Sequence, residues 1–118
     1  MKILTIIGAR PQFIKAATVS RILCSHKYDE IDEVIVHTGQ HYDYNMSQSF
    51  FDELEMPVPK YNLEVGSTTH GQQTGAIMSS LENIVDKEDP DWMLVYGDTN
   101  STLSAALVAA KKPCRLAH

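Results

Sequence analysis

Short apolar segments alternate along this chain with longer segments in which apolar residues recur at helical spacing. Lys2–Ile7 is almost wholly apolar, and the run 34–36 is β-branched throughout. The periodicity predicts strands at Lys2–Ile7, Glu33–Thr38, Tyr61–Leu63, Trp92–Tyr96 and Pro113–Ala117. It predicts helices at Pro11–Cys24, Met46–Leu54, from Thr69 or His70 to Asp86, and at Asn100–Lys111.

This alternation of strands and helices predicts an α/β fold with a parallel sheet and right-handed crossovers, with helices on both faces. For the first helix we expect a buried face made of Phe13, Ile14, Ala17, Ile22 and Leu23. The last predicted strand has no covering helix after it. We therefore expect residues 1–118 to be one domain, truncated from a larger protein.

Composition narrows the class of protein. The 118 residues carry 43% hydrophobic and 21% charged residues and a net charge of −5, which is typical of a soluble domain and argues against nucleic-acid partners. No apolar run approaches the roughly 20 residues of a membrane span, and the apolar N-terminus stops too early for a signal peptide. We expect a cytoplasmic protein without a membrane partner. Cys24 and Cys114 lack metal-ligand spacing and are predicted to be reduced.

Polar residues follow the predicted strand Trp92–Tyr96 where it ends. Gly97 and Asp98 come directly after it, at the edge where open parallel sheets bind ligands. Asp98 is therefore a candidate general acid or base. A turn or N-cap aspartate gives the same pattern, and both interpretations stay open. The next cluster supplies candidate substrate-binding side chains: Thr99, Asn100 and Thr102.

Candidate site residues also follow the first predicted strand. Gly8 permits a tight turn or the close approach of a ligand to the backbone, and Pro11 suits the first helical position. Arg10 and Lys15 add positive charge to a helix N-terminus, which already favours anions. Solvated residues at a helix start would look the same. With Asp98, this strand end predicts a site for an anionic substrate that undergoes proton transfer.

The end of the second predicted strand adds Gln40 and His41, on a loop at the same sheet edge, where binding groups belong. An ordinary surface loop is the alternative. His37 lies inside the strand pattern and is predicted to be structural.

Three separated segments resemble, in order and spacing, motifs of the non-hydrolysing UDP-N-acetylglucosamine 2-epimerases. They are residues 1–15 (MKILTIIGARPQFIK), 37–41 (HTGQH) and 95–102 (VYGDTNST). The resemblance covers essentially the whole chain. Arg-Pro-Gln-Phe-Ile-Lys, together with His-Tyr-Asp-Tyr-Asn-Met, is most similar to the branch that epimerises UDP-2,3-diacetamido-glucuronate for surface polysaccharides.

The resemblance implies a glycosyltransferase-B type fold, with the active site between two Rossmann-like halves, of which this chain is the N-terminal one. It implies that C2 of a UDP-amino sugar is inverted by elimination and re-addition of UDP, in a homodimer, without a metal or redox cofactor. Asp98 and Lys15 would be catalytic. The implied substrate-binding residues are Gly8, Arg10, Gln40, His41, Thr99, Asn100, Thr102 and His118.

Two departures from the family pattern limit these expectations. In the family, the histidine matching His118 precedes Val-Glu-Ala-Gly, whose glutamate is another catalytic candidate. Without it and the C-terminal nucleotide-binding domain, we expect the 118-residue chain to be inactive. Some members bind a regulatory UDP-sugar through the loop matching Gln40 and His41, but Tyr42-Asp43 departs from their more basic pattern. The alternatives are a stand-alone Rossmann-like binding module, or half of a hydrolysing epimerase or glycosyltransferase.

Overall fold

The computed structural model describes residues 1–40 and 48–118. Its strands are β1 (Lys2–Ile7), β2 (Asp32–His37), β3 (Tyr61–Asn62), β4 (Trp92–Val95) and β5 (Arg115–Ala117). Its α-helices are α1 (Arg10–Leu23), α2 (Gln48–Leu54), α3 (His70–Glu88) and α4 (Asn100–Lys111), and a short 3-10 helix (His26–Tyr28) follows α1. The predicted elements are confirmed to within a few residues. The predicted start of the second helix at Met46 lies outside the described residues.

The strands form one parallel sheet with the order β3-β2-β1-β4-β5. Because β1 lies in the middle, the chain first builds the sheet outward through β2 and β3, and then returns to add β4 and β5 on the other side. Between β1 and β4 the strand order reverses, and such a switch point opens a crevice at the carboxyl edge of the sheet. In the part of the chain that the structure describes, no helix is both long and apolar enough to span a bilayer.

Helices cover both faces of the sheet, as predicted. On one face, α3 and α4 pack against alternate residues of the three central strands, and the centre of this core is Leu4, Ile6, Val36, Ile77, Leu81, Met93, Val95 and Val108. On the other face, α1 and α2 pack over β1 and β2 around the fully buried Phe13. These two layers hold the strand ends rigidly, which is what a site at the carboxyl edge requires.

The buried face of α1 differs from the prediction. Phe13 and Ala17 are buried as expected, but Ile14 and Ile22 are 51% and 52% exposed. The helix instead turns its small residue Ala16 toward the sheet. Ile14 and Ile22 are eight residues apart and fall on the outward side, so the prediction is wrong for these two residues, and Leu23 is half-buried.

A cluster of charged side chains stabilises the amino edge of the sheet, which lies opposite the carboxyl edge. The buried carboxylate of Glu88, at the end of α3, accepts hydrogen bonds from Lys60 Nζ at 2.7 Å, from the Tyr61 hydroxyl at 2.5 Å and from Lys2 Nζ at 3.1 Å. These donors lower the pKa of Glu88 to about 2, with Lys60 contributing most and burial opposing the shift. The cluster thereby joins α3 to β1 and β3.

We expect Glu88→Gln to lower the free energy of unfolding at pH 7 by about 1–2 kcal/mol, because charge-assisted hydrogen bonds are lost. The folded-state pKa lies below the unfolded value of about 4.3. The stabilisation is therefore fully present above that value and is lost as pH falls toward 2. Urea titrations across this range should show the difference between wild type and variant shrinking with falling pH, and a difference independent of pH would contradict the assignment.

Candidate active site

The candidate site residues gather at the carboxyl edge of the sheet, around the switch point. Gly8 follows β1, Gly39 follows the residue after β2, and Gly97 follows Tyr96 at the end of β4. Since β1 pairs in parallel with both other strands, the three glycines share this edge, as predicted. Arg10 and Asp98 consequently lie on adjacent loops of the same edge, which is the arrangement that the shared-site hypothesis requires.

Gly8 occupies the tightest point of this edge. A Cβ at that position would lie 2.2 Å from Thr38 Oγ1, 2.4 Å from Ser101 Oγ and 3.1 Å from Gln40 Cβ. The contact between the end of β1 and the loops after β2 and β4 is therefore so close that only glycine fits at position 8. Its predicted role in bringing a ligand close to the backbone stays a prediction.

Gln40 links the β2 loop to the start of α4. Its side-chain oxygen accepts hydrogen bonds from the Ser101 backbone N–H at 2.9 Å and from the Ser101 hydroxyl at 2.6 Å. The Thr38 and Ser101 hydroxyl oxygens are 2.8 Å apart, and since the Ser101 proton goes to Gln40, Thr38 donates to Ser101. Gln40 is 6% exposed. In this arrangement Gln40 connects the loop after β2 to the first turn of α4. Its predicted contact with substrate stays a prediction.

Gln12, which the sequence did not single out, connects the β1 and β4 loops. Its Oε1 accepts from the backbone N–H of Gly8 at 2.8 Å and of Ala9 at 3.2 Å. Its Nε2 donates to the Tyr96 carbonyl at 2.7 Å and to Thr99 Oγ1 at 3.0 Å. The sequence carried only half of the capping-box signal, because Gln12 is at the third helical position but Ala9, not Ser or Thr, is the N-cap.

Asp98 projects from the loop between these anchors. It is exposed and has no hydrogen bond or ion pair with the residues that the structure describes. The N-cap of α4 is Thr99, whose hydroxyl accepts from the Thr102 N–H at 3.4 Å. Thr102 in turn donates its hydroxyl to the Tyr96 carbonyl at 2.7 Å. The N-cap interpretation of Asp98 is therefore wrong, whereas the turn interpretation is correct, because Asp98 lies in the turn between β4 and α4. Its role toward a substrate stays a prediction.

The two candidate cations lie on the first turns of α1. Arg10 begins the helix, and its guanidinium carbon lies 4.7 Å from the centroid of the Phe50 ring, a cation–π contact with α2. Lys15 is exposed and makes no ion pair with the described residues. Arg10 and Lys15 are thus both exposed residues near the start of α1, and their predicted contact with an anionic substrate stays a prediction.

Asn100 and His118 complete the described edge. Asn100 Nδ2 donates to Gln73 Oε1 at 2.8 Å and lies 3.0 Å from His70 Nδ1, so it joins the N-terminal turns of α3 and α4. His118 Nε2 lies 2.7 Å from the Gly97 carbonyl oxygen. A carbonyl can only accept, so the His118 ring donates from Nε2. The loop that carries Asp98 is thus also held from the β5 side.

Comparison with known proteins identifies the family. The profile described as UDP-N-acetylglucosamine 2-epimerase matches residues 24–118. The chain belongs to the UDP-N-acetylglucosamine 2-epimerase family. Its five-stranded parallel sheet is the N-terminal part of the glycosyltransferase-B type fold of these epimerases, as the resemblance implied.

Among the relatives, a UDP-N-acetylglucosamine 2-epimerase homolog of Methanococcus maripaludis is 55% identical over all of this chain and 32% of its own length. UDP-2,3-diacetamido-2,3-dideoxy-D-glucuronate 2-epimerase of Pseudomonas aeruginosa is 53% identical over all of this chain and 33% of its own length. The crystal structure of Methanocaldococcus jannaschii UDP-GlcNAc 2-epimerase with UDP-GlcNAc and UDP has a TM-score of 0.90 at 47% identity, again over all of this chain and 32% of that one. The chain spans about a third of the length of the relatives it matches.

Two histidines were singled out near the end of the second predicted strand, His37 and His41. His37 is buried, accepts a hydrogen bond from the Gly39 N–H at 3.1 Å and stacks edge-on against Phe13. Burial lowers its pKa, so it is neutral and structural, as predicted. His41, a predicted substrate-binding residue, lies outside the described residues. Across residues 1–40 and 48–118, no three His, Cys, Asp or Glu side chains are grouped as metal ligands.

Proposed function

We propose that the complete protein is a UDP-sugar 2-epimerase and that residues 1–118 form its first Rossmann-like domain, followed by a second, nucleotide-binding domain. The observation that carries the proposal is the exposed carboxylate of Asp98 at the switch point, which has no hydrogen bond or ion pair with the described residues. Arg10, at the start of α1, lies at the same edge of the sheet. Family membership and the 2-epimerase activities for which the relatives are named support the same assignment.

The proposed reaction needs a base, an acid and stabilisation of a departing anion. A base removes the C2 proton, the C–H electron pair forms the C1–C2 double bond, and the C1–O bond breaks to release UDP with its electron pair. A proton then returns to the other face of C2 while a UDP oxygen rebuilds the bond to C1. The sequence of steps is redox-neutral, so no redox cofactor is proposed, and the family resemblance implies no metal.

The side chains at the edge suit these tasks. Asp98 would transfer the C2 proton or support the group that does, and among residues 1–40 and 48–118 its carboxylate has no partner that would compete. Arg10 and Lys15, at the start of α1, would face the diphosphate, where positive charge and a helix N-terminus stabilise the leaving group. Further proposed substrate contacts are Gly8, Gln40, His41, Thr99, Asn100, Thr102 and His118.

The test is to incubate the full-length protein with UDP-N-acetylglucosamine and, separately, with UDP-2,3-diacetamido-glucuronate, and to follow the configuration at C2 by NMR. Interconversion of the C2 epimers supports the proposal, and the preferred substrate identifies the branch. Steady accumulation of free UDP would point to a hydrolysing epimerase or a glycosyltransferase. Binding without turnover would indicate a binding module.

The isolated 118-residue chain should show no turnover in the same assay. The chain contains the carboxyl edge of the sheet with Asp98, but it spans only about a third of the length of its relatives. The opposing wall of the proposed cleft would come from the second domain. Measurable epimerisation by the purified chain would show that the second domain is not required. A homodimer and a role in surface polysaccharide synthesis stay predictions from the family resemblance, and a cytoplasmic location stays a prediction from the N-terminal sequence.

A further inference from the structure

We propose that Gln12 is a positioning residue, which holds the loop of Asp98 at a fixed place relative to the loop of Arg10. The inference rests on the proposed epimerase function and adds to it a residue that never touches substrate. Gln12 is 5% exposed, so a ligand in the crevice has no access to it.

The hydrogen bonds of Gln12 leave its carboxamide no spare capacity. Both acceptor positions of Oε1 are used by the β1 turn, through the N–H groups of Gly8 and Ala9. Both hydrogens of Nε2 are used by the β4 turn, through the Tyr96 carbonyl and the Thr99 hydroxyl. A carboxamide has two donors and two acceptor sites on these atoms, and the four partners also fix which end is oxygen.

The two donor contacts bracket Asp98. Tyr96 lies two residues before it and Thr99 directly after it, and Gly97, with φ +72°, turns the chain between them. A Cβ on Gly97 would already lie 3.6 Å from Gln12 Nε2. Because both flanks of this short loop are tied to one side chain, the position of the Asp98 backbone follows from the position of Gln12.

Capping of α1 alone does not account for this arrangement. A glutamine at the third helical position satisfies the N-cap N–H with its oxygen, and here that is the bond from Ala9. The bonds from Nε2 reach residues 84 and 87 positions away in the sequence and add nothing to the cap. They span the switch-point crevice, where the proposed cation side and carboxylate side of the site meet.

The experiment compares Gln12→Met and Gln12→Glu in the full-length enzyme. Met has nearly the same shape and no hydrogen bonds, so kcat should fall about 10- to 100-fold, since small misplacements of a catalytic group cost that much, while KM changes little. Glu keeps the acceptor oxygen for Gly8 and Ala9, and the Thr99 hydroxyl can turn to donate to its second oxygen, but a carboxylate cannot donate to the Tyr96 carbonyl and that one bond is lost. We expect its kcat to fall only a few-fold, to a value between those of wild type and Gln12→Met.

The expected order of kcat is wild type, then Gln12→Glu, then Gln12→Met. This order distinguishes a positioning residue from two simpler roles. If Gln12 only filled space, the apolar Met would be tolerated better than a buried Glu. If it only capped α1, Glu would match wild type. Glu88→Gln is the matched control, because it weakens the fold at the opposite edge of the sheet. Its kcat should stay within about twofold of wild type at a temperature where all variants are folded.

A second arm tests the coupling to Asp98. In an Asp98→Asn background, Gln12→Met should lower kcat less than twofold, because residues acting as one unit are not additive. If kcat of the double variant instead fell by the product of the two single-variant factors, the inference would be wrong. Hydrogen exchange of the Thr102 and Leu103 amides, which donate to Thr99, gives a readout independent of activity and should accelerate in Gln12→Met but not in Glu88→Gln. An inactive wild type would reject the proposed function alone, whereas unchanged exchange and kcat in Gln12→Met would reject only the role of Gln12.

Discussion

Replacing Asp98 by Asn in the full-length protein should lower kcat for C2 epimerisation about 100-fold or more, the usual worth of acid–base catalysis. Asparagine keeps the shape of the side chain and removes its basicity. Because the described residues give Asp98 no hydrogen bond or ion pair, the substitution breaks no contact among them. UDP affinity should change little, since Asp98 is proposed to face the sugar. Steady-state kinetics and UDP titration of the same preparation measure both quantities.

Thermal unfolding provides the control for this variant. Thr99, not Asp98, caps α4, so Asp98→Asn should leave the melting temperature almost unchanged. Thr99→Ala should instead cost about 1 kcal/mol of stability, the usual worth of an N-cap. Asp29→Asn, at an exposed aspartate beside the 3-10 helix, removes the same charge far from the edge and should leave kcat unchanged. Near-normal kcat in Asp98→Asn, accompanied by a lower melting temperature, would contradict the catalytic role.

The shared location of Arg10 and Asp98 could be predicted because it depends only on topology. Each residue follows a short apolar strand, and parallel strands end at one edge. The same reasoning placed Gln40 at that edge. It could not reveal that the Gln40 oxygen is taken up by Ser101, because a polar residue on a loop has the same pattern whether it faces solvent or an adjacent helix.

Gln12 and Gln73 show where the sequence stops being informative. Each lies in the first turns of a helix, where a solvated polar residue is the usual interpretation, yet both are buried. Gln73 donates to the carbonyls of Gly66 and Gln40, and the partners of Gln12 lie 84 and 87 residues away. Periodicity describes one element at a time, whereas these bonds depend on how four elements meet.

Gly8→Ala should destabilise the protein by about 2–3 kcal/mol, toward the upper end of the cost of overpacking a filled site. The new methyl group would lie 2.2 Å from Thr38 Oγ1 and 2.4 Å from Ser101 Oγ. Both side chains are short and are bound to one another, so neither can swing away as a long side chain would. The β1 turn must move instead, and Arg10 and the N–H groups bound to Gln12 move with it. Activity of the full-length enzyme should therefore fall as well, even at temperatures where the variant is folded.

A second glycine in the chain separates this steric effect from the general effect of replacing glycine. Gly75, inside α3, has nothing within 4 Å of an added Cβ, and alanine is the better helix former by about 1 kcal/mol. Gly75→Ala should therefore raise the free energy of unfolding slightly and leave kcat unchanged. Urea unfolding of both variants tests the pair. If Gly8→Ala were as stable and as active as wild type, the close packing of β1 against the loops after β2 and β4 would be wrong, and with it the rigid edge on which the proposed site depends.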